Sequence, residues 1–234
     1  KLIQSNLVSI ENIHFNGIEV ESAYLPSVYV GGDYYDIIPI DDNTVDIVIA
    51  DVSGHNVASA LIMTQVRSII RTTVVIKPEV TPKGILKIIN KEMFDQISKH
   101  NFIITVLYMR LNNKSGEIIY CNAGHYSPII IRDGDVIDEQ NGDLLLGVLE
   151  DYQYREFKLK LYKDDTMILY TDGIIEAEND KGEFYGKERF LNLLKAHAYM
   201  DPTKIKNAIL TSISDFTKNN IQSDDISILI IKKV

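Results

Sequence analysis

The sequence predicts an α+β domain in which mainly antiparallel sheets pack face to face as a sandwich. Apolar runs with strand character come in hairpin-linked blocks, whereas segments with helical spacing come in two pairs. Strands and helices segregated in this way favour an α+β architecture over alternating βαβ units. The 234 residues show no internal repeat, low-complexity linker or midchain break, so we expect one folded domain.

Residues 1–16 are predicted to be the remnant of a regulatory linker helix, and residues 17–234 the folded domain. Apolar residues recur near the start at helical spacing, at Ile3, Leu7 and Ile10. The Asn and Ser residues among them make such a helix weak, and the alternative is that this end is disordered. Because the chain begins at Lys1 rather than Met, we expect an upstream regulatory domain in the full-length protein.

The first strands lead towards an acidic turn. Ile18–Leu25 alternates between apolar and polar residues, as a half-buried strand does. The Gly-Gly pair at 31–32 permits a sharp turn just before Asp33. A turn at 41–43 then leads into Thr44–Ala50, a β-branched apolar run typical of a buried strand, which is predicted to end on Asp51.

The later elements follow from periodicity and end signals. A first helix is indicated by the helical spacing of Ala58, Ile62, Val66, Ile69 and Thr73. A second begins at Thr81 as N-cap with Pro82 behind it, and its apolar face is Ile85, Ile89, Met93 and Ile97. The second pair of helices is predicted at Lys187–Ala198 and Thr203–Thr217. The remaining strands are predicted at Phe102–Arg110, Glu117–Asn122, Pro128–Arg132, Tyr152–Leu161, Thr166–Thr171 and Ile226–Ile231.

Composition narrows the class of protein. The formal net charge of -9 argues against a nucleic-acid-binding surface. Cys121 is the only cysteine, so no intrachain disulfide forms and we expect a reducing, cytoplasmic setting. No apolar run approaches the ~20 residues of a membrane span, and no signal peptide is visible.

Acidic residues at the ends of predicted strands are the candidate metal ligands. Asp33 follows the Gly-Gly turn, Asp51 and Asp172 end buried strands, and Asp224 and Asp225 immediately precede the last strand. Carboxylates that converge on one edge would repel one another, and hard cations such as Mg²⁺ or Mn²⁺ relieve that repulsion. Two such ions would clamp a phosphoryl group and activate water. The alternative is that these residues only form turns.

Six segments resemble, in order, the signature segments of the metal-dependent PP2C-type phosphatases. They are GGDYYD, ADVSGH, NAGH, LLLG, YTDGIIEA and SDDISILI, and they run from about residue 24 to the C-terminus. Within that family the chain resembles the bacterial branch typified by RsbU and SpoIIE. The resemblance implies a four-layer αββα sandwich. It also implies hydrolysis of phosphoserine or phosphothreonine on a protein by metal-activated water at a centre of two Mn²⁺ or Mg²⁺ ions.

The resemblance assigns roles to individual positions. Metal ligands are expected at Asp33, Asp51, Asp172 and Asp224, with Val52 contributing its backbone carbonyl. Residues expected to support these ligands or to contact substrate are Asp36, Ser53, Gly54, His55, His125, Gly173 and Asp225. Two positions depart from the eukaryotic branch. No arginine precedes Gly31 to hold the substrate phosphate, and Ser53 stands where that branch has a histidine.

The acid that protonates the leaving group therefore stays open at this point. A water on the metal ions, His55 or His125 could serve. His55 lies beside a Gly and an Asn, so it could instead cap the helix that follows. His125 follows Asn122, Ala123 and Gly124 in a tight turn, so it could instead brace that loop by hydrogen bonding.

The resemblance also implies partners. The expected substrate is a phosphorylated STAS-domain protein, an anti-anti-sigma factor, and relatives are often regulated through dimers, so a homodimer is compatible with the pattern. The alternative is a pseudophosphatase that acts as a protein-binding module. A receiver domain is disfavoured, because it is about half this length and leaves Asp172 and Asp224 without a role.

Overall fold

A computed structural model describes residues 15, 17–28, 30–54, 56–218 and 220–234. Of the predicted linker helix at residues 1–16, all but Phe15 lies outside the described residues. The strands are β1 (Ile18–Leu25), β2 (Tyr34–Pro39), β3 (Thr44–Val52), β4 (Ile104–Asn112), β5 (Glu117–Ala123), β6 (Ile129–Arg132), β7 (Asp135–Asp138), β8 (Phe157–Lys160), β9 (Thr166–Tyr170) and β10 (Ile226–Lys233). The helices are α1 (Val57–Ile76), α2 (Pro82–His100), α3 (Lys187–Ala196) and α4 (Pro202–Thr217).

The strands form two five-stranded sheets in which every ladder is antiparallel. Sheet I has the order β1-β10-β9-β6-β7, and sheet II has the order β2-β3-β4-β5-β8. Helices α1 and α2 pack on sheet II, through β2 to β5, whereas α3 and α4 pack on sheet I, through β1, β7 and β10. The two sheets face each other, so the predicted αββα sandwich is confirmed.

Strands β9 and β10 show why the central runs read as continuously apolar. Met167 and Leu169 belong to the core between the sheets, which also contains Ile47 and Ile49 of sheet II. Their neighbours Ile168 and Tyr170 instead belong to the core beneath α3 and α4, with Phe190 and Ile209. Successive side chains point to opposite faces of a strand. Because both faces of these strands are covered, each of these four side chains enters one of the two cores.

The helix signals are largely confirmed. Helix α2 begins at Pro82 with the Thr81 hydroxyl accepting from Gly84 N, and all four residues of its predicted face are buried. Helix α1 is capped by Asn56, whose side-chain oxygen accepts from Ala58 N and Ser59 N. Its buried face is rotated relative to the prediction and consists of Ser59, Ile62, Met63, Val66, Ile70 and Val74.

Helix α1 qualifies the expectation about membrane spans. Over its 20 residues it is long and apolar enough to cross a membrane by length and composition, with a mean hydropathy of 1.2. It is the one helix in the described part of the chain that passes this test. In the fold, however, its apolar face packs on sheet II, as the core helix of a globular domain does.

Two strand predictions need correction. Strand β7 was not predicted, because it is only four residues long and none of them is fully buried. The predicted strand Tyr152–Leu161 is reduced to β8, the part that pairs with β5. Before it, Tyr152 and Arg155 bind the side chain of Asp143 instead of a neighbouring strand.

Candidate functional site

Both sheets deliver carboxylates to the same end of the sandwich. Asp33 immediately precedes β2 and Asp51 lies in the last part of β3, both on sheet II. Asp172 opens a short 3-10 turn after β9, and Asp224 lies just before β10, both on sheet I. Asp172 and Asp224 lie close enough to Asp51 for their charges to raise its pKa. The strand ends that were predicted to converge are therefore brought together. Strand β3 continues one residue past its predicted end, to Val52.

Glycines allow these strand ends to approach one another. A Cβ at Gly32, next to Asp33, would lie 2.1 Å from the carbonyl oxygen of Val52. A Cβ at Gly173, next to Asp172, would lie 1.9 Å from the carbonyl oxygen of Asp225. Each glycine therefore seats one acidic strand end against another. Neither needs a positive φ angle, so the reason for glycine here is close approach and not the sharp turn that the sequence suggested.

A third glycine links the two sheets. A Cβ at Gly31 would lie 1.4 Å from Oδ2 of Asp225, so the carboxylate occupies the space that any side chain would need. Asp225 is 1% exposed. Its Oδ1 accepts from Ser27 N at 2.8 Å and from the Ser27 hydroxyl at 3.3 Å, while Oδ2 has no hydrogen-bond partner among the described residues. Asp225 thus supports the turn before Asp33 from the opposite sheet.

Burial and mutual repulsion raise the pKa values of the clustered carboxyls. Burial is the main cause for Asp33, whose pKa is well above its usual value, and the charge of Asp51 adds to it. Burial together with Asp172, Asp224 and Asp225 raises the pKa of Asp51 to about 7. Burial and the charge of Asp224 raise the pKa of Asp172 to about 6. The end of the sandwich holds more negative charge than its surroundings stabilise.

Hydrogen bonds orient Asp33 across the sheets. Its Oδ2 accepts from the hydroxyl of Thr171 at 2.7 Å. That hydroxyl in turn accepts from Ser227 N at 3.0 Å. The hydrogen bond from the Thr171 hydroxyl lowers the pKa of Asp33 but does not outweigh burial. Thr171 immediately precedes Asp172, so the same backbone segment positions two of the carboxylates.

A cavity of about 340 Å³ opens over this cluster, and His125 forms part of its wall. The residues that line it are Asp51, Thr105, Gly124, His125, Tyr126, Gln140 and Asp172. His125 Nδ1 lies 2.7 Å from the Thr105 hydroxyl, and Nε2 has no partner within the described residues. Burial lowers the pKa of His125 to about 4, so the ring is neutral at pH 7 and is a poor source of a proton.

The contacts of His125 favour the bracing role over the acid role. Its backbone N donates to Asn122 Oδ1 at 2.8 Å, and Asn122 Nδ2 donates to the carbonyl of His125 at 2.9 Å. These reciprocal bonds close the NAGH loop. Because the ring also lines the cavity, it remains placed to contact a substrate.

Not every predicted residue joins the cluster. Asp36 faces α1, where Arg71 binds both carboxylate oxygens at 2.7 and 2.8 Å and the Tyr34 hydroxyl donates at 2.7 Å. Ser53 extends the pairing of β3 and β4, since it exchanges hydrogen bonds with the backbone of Ile103. Gly54 lies in an exposed turn with φ of 89°. His55 lies outside the described residues, and the cap that it was considered for is Asn56.

Several residues of the site were not predicted. Thr105, Tyr126 and Gln140 line the cavity, Thr171 binds Asp33, and Ser27 binds Asp225. The position of Thr105 follows from strand register, because it pairs with Asp51 across β3 and β4. Register between strands 54 residues apart has no local signal in the sequence.

The site can be tested for its fit to divalent cations. No three His, Cys, Asp or Glu side chains in the described part of the chain are grouped closely enough to hold a metal ion as they stand. The donors are nevertheless hard oxygens, namely the carboxylates of Asp33, Asp51, Asp172 and Asp224 and the carbonyl of Val52. Mg²⁺ keeps several water ligands, so its protein ligands need not touch one another. The chemistry of the donors and their excess charge fit Mg²⁺ or Mn²⁺.

The contact between Gly32 and Val52 yields a first prediction. We expect Gly32→Ala to displace the Val52 carbonyl and to reduce the rate of any reaction at this site by on the order of 100-fold, because misplacement by about 1 Å costs that much. Gly142→Ala is the matched control, since a Cβ there meets nothing closer than 3.7 Å. Steady-state rates and thermal melting of both variants check this. Equal activity of the two variants would contradict it.

Comparison with known proteins identifies the family. The family model described as Stage II sporulation protein E (SpoIIE) matches residues 41–234. Over 239 residues the chain is 26% identical to phosphoserine phosphatase RsbU of Bacillus subtilis (strain 168), covering 99% of this chain and 68% of RsbU. Over 232 residues it is 27% identical to phosphoserine phosphatase RsbP of the same organism, covering 95% of this chain and 54% of RsbP. The chain therefore spans only part of these relatives.

Solved structures share the fold. The SiaA-PP2C domain of Pseudomonas aeruginosa matches with a TM-score of 0.82 at 22% identity, covering 92% of this chain and 86% of that chain. RsbX in complex with magnesium matches with a TM-score of 0.70 at 15% identity, covering 97% and 100%. The catalytic domain of the phosphatase PstP in complex with two manganese ions matches with a TM-score of 0.61 at 12% identity, covering 93% and 98%.

The fold is that of PP2C-type phosphatase domains, and the relatives RsbU and RsbP are named phosphoserine phosphatases. The family model covers most of the chain. The chain belongs to the SpoIIE family.

Proposed function

We propose that the chain hydrolyses phosphoserine or phosphothreonine on a signalling protein at a site for two Mn²⁺ or Mg²⁺ ions. The observation that carries this proposal is the meeting of Asp33, Asp51, Asp172 and Asp224 at one end of the sandwich. Carboxyls with raised pKa values are unfavourable for a folded protein unless a cation or a proton compensates them. A pure binding module has no need of this arrangement.

The proposed ligands are those four carboxylates and the Val52 carbonyl. When bound, the two ions would neutralise the phosphoryl oxygens and activate the water that attacks phosphorus. The magnesium in RsbX and the manganese ions in PstP support the choice of metals. Thr171 would hold Asp33 in orientation, and Gly32 would let the Val52 carbonyl approach.

The properties of Cys121 and His125 favour direct hydrolysis over a covalent route. Cys121 is buried, and burial raises the pKa of its thiol to about 12, so it is not a thiolate near neutral pH. Since His125 is neutral, protonation of the leaving group by solvent agrees better with the site than protonation by this ring. The cavity of about 340 Å³ has room for a phosphoserine side chain.

The proposed substrate is a phosphorylated STAS-domain protein of the anti-anti-sigma type. Support comes from the resemblance to RsbU and RsbP, each named a phosphoserine phosphatase. We further propose that the chain works in the cytoplasm under the control of an upstream domain, with dimerisation as one means of control. The length of RsbP that this chain does not match is consistent with an additional domain.

Metal dependence tests the proposed function. The purified chain is expected to hydrolyse p-nitrophenyl phosphate and phosphoserine proteins with Mn²⁺, and to lose this activity on exhaustive chelation. Mn²⁺ at 100 times its Kd should also stabilise the fold by about 2.7 kcal/mol for each ion bound, read as a rise in Tm. As a control, Mn²⁺ is added back after chelation, and the rate of hydrolysis should recover. Activity that survives chelation, or a trapped phosphocysteine, would contradict the proposal.

A further inference from the structure

We infer that a groove beside the candidate active site binds an aliphatic side chain of the substrate protein together with a neighbouring lysine or arginine. This inference rests on the proposed function. The groove, called here the α4 groove, is defined by Leu25, Ala177, Leu210, Ile213, Ser214 and Ile221. It also borders on Gly173, Glu178 and Asp224. It therefore shares Asp224 with the acidic cluster and adjoins Asp172 through Gly173, so a chain that presents phosphoserine to that cluster can continue into the groove.

The size and lining of the groove suit one side chain. Its volume is about 240 Å³, below the range of about 300–1,000 Å³ that is typical of small-molecule sites. Ala177, Ile213 and Ile226 are buried and form an apolar floor. Ile221 at the rim is 86% exposed, and Leu25 is 41% exposed. Covering these apolar surfaces with an aliphatic side chain would remove them from water.

The rim is held in place by side-chain amides. Asn220 Nδ2 donates to the carbonyls of Glu178 and Asn179, each at 3.0 Å. Gln222 Nε2 donates to the carbonyls of Leu25 and Asp224, each at 2.7 Å. These bonds tie the segment before β10 to the loop after β9 and to the end of β1. The groove is thus part of the folded structure next to Asp224.

The negative charge of the groove favours a basic residue beside the aliphatic side chain of the ligand. The charged side chains among the described residues that line the groove are Glu178 and Asp224, and both are acidic. Helix α4 ends at the groove, and its last turn carries no basic side chain. The negative end of the helix dipole therefore adds to the acidic field. Lys218 follows the helix but does not line the groove. A lysine or arginine on the substrate complements this field.

Peptide binding tests the inference separately from catalysis. Fluorescein-labelled peptides would carry a Leu-Lys pair at successive distances from a central serine, with Ala-Glu peptides as the reference. Unphosphorylated peptides in chelator are used for anisotropy, because phosphate would be repelled by metal-free carboxylates. Phosphoserine versions with Mn²⁺ give kcat/KM. At one spacing we expect the Leu-Lys peptide to be favoured about 10- to 100-fold in both assays.

Matched variants on α4 locate the effect. Ser214→Tyr fills the groove from an exposed position and should abolish the Leu-Lys preference, while turnover of p-nitrophenyl phosphate stays at the wild-type rate. Thr211→Tyr adds the same ring at an exposed position of α4 that does not line the groove, and should keep the preference. Glu178→Lys should shift the preference from Lys towards Glu in the peptide.

The outcomes separate the two proposals. The inference is overturned if no spacing gives a preference in the wild type, or if Ser214→Tyr and Thr211→Tyr behave alike. If the wild type fails to hydrolyse p-nitrophenyl phosphate with Mn²⁺, the proposed function fails, and anisotropy alone then decides about the groove. A Leu-Lys preference that Ser214→Tyr removes and Thr211→Tyr retains supports the groove in either case.

Discussion

Asp51→Ala is expected to lower turnover by on the order of 1,000-fold or more while leaving the metal-free fold at least as stable as the wild type. Asp51 interacts with Asp33, Asp172 and Asp224, so its loss removes the carboxylate that connects the two sheets. Loss of one preorganised electrostatic group costs about 100- to 1,000-fold, and a displaced metal ion costs more. Removal of a buried charge from an acidic cluster also relieves repulsion.

The measurement pairs kinetics with melting. Rates on p-nitrophenyl phosphate are compared with Mn²⁺, and melting curves are recorded with chelator and with Mn²⁺. The wild type should gain more stability from Mn²⁺ than Asp51→Ala does. Asp135→Ala is the control, because that carboxylate is exposed on β7 and is not among the charges that shift the pKa values of Asp33, Asp51 or Asp172. Asp51→Ala activity within tenfold of wild type, or equal metal-induced shifts, would show that Asp51 is not a ligand.

The fold was readable from the sequence wherever a periodic pattern coincided with an end signal. Helix α2 has Thr81, Pro82 and a face with regular spacing, and it was predicted to start where it does. Strand β1 was predicted with its observed bounds, because apolar residues that contact the core between the sheets, such as Val20 and Tyr24, alternate with other residues along it. Strand β7 has neither signal. It exists because β6 offers it a partner, and pairing between strands is a property of the tertiary structure.

The candidate site was readable as a set of residues but not as a geometry. Their positions at strand ends and near glycines identified four candidate metal ligands, namely Asp33, Asp51, Asp172 and Asp224. The partners of Asp33 and Asp225, Thr171 and Ser27, come from the opposite side of the sandwich or from a distant loop, and no spacing in the sequence reports them. The pKa shifts arise from burial between the two sheets, which only packing determines.

Asp36 shows that a residue in a signature segment need not lie at the site, because the side chains of a strand alternate between its two faces. It lies in the segment GGDYYD together with Asp33, and it was expected to support the metal ligands. Side chains alternate along a strand, so residues three apart point to opposite faces. Asp36 accordingly faces α1 and pairs with Arg71. Asp36 is therefore close to Asp33 in the sequence but lies on the opposite face of the sheet.

Without metal, the folded protein is expected to lose stability as the pH rises from about 4 to about 7. The pKa of Asp51 is about 7 in the fold, against an ordinary value of 3.8. A carboxyl whose folded pKa is raised contributes stability that is complete below its unfolded pKa and is lost as pH rises through the folded pKa. A shift of this size corresponds to up to about 4 kcal/mol. Asp172, with a pKa of about 6, acts in the same direction over a narrower range.

Metal should reverse this dependence. Protons and Mg²⁺ compete for the same oxygens, so with saturating Mg²⁺ the stability gained from binding should grow from pH 5 to pH 8. Urea unfolding at fixed ionic strength, with chelator and with Mg²⁺, measures both slopes. Asp51→Asn should flatten the metal-free slope, because the amide does not titrate and carries no charge, whereas Asp135→Asn should leave it unchanged. A metal-free protein that grows more stable between pH 5 and pH 7 would mean that these carboxyls do not repel one another in the fold, and the electrostatic argument for a cation site would lose its basis.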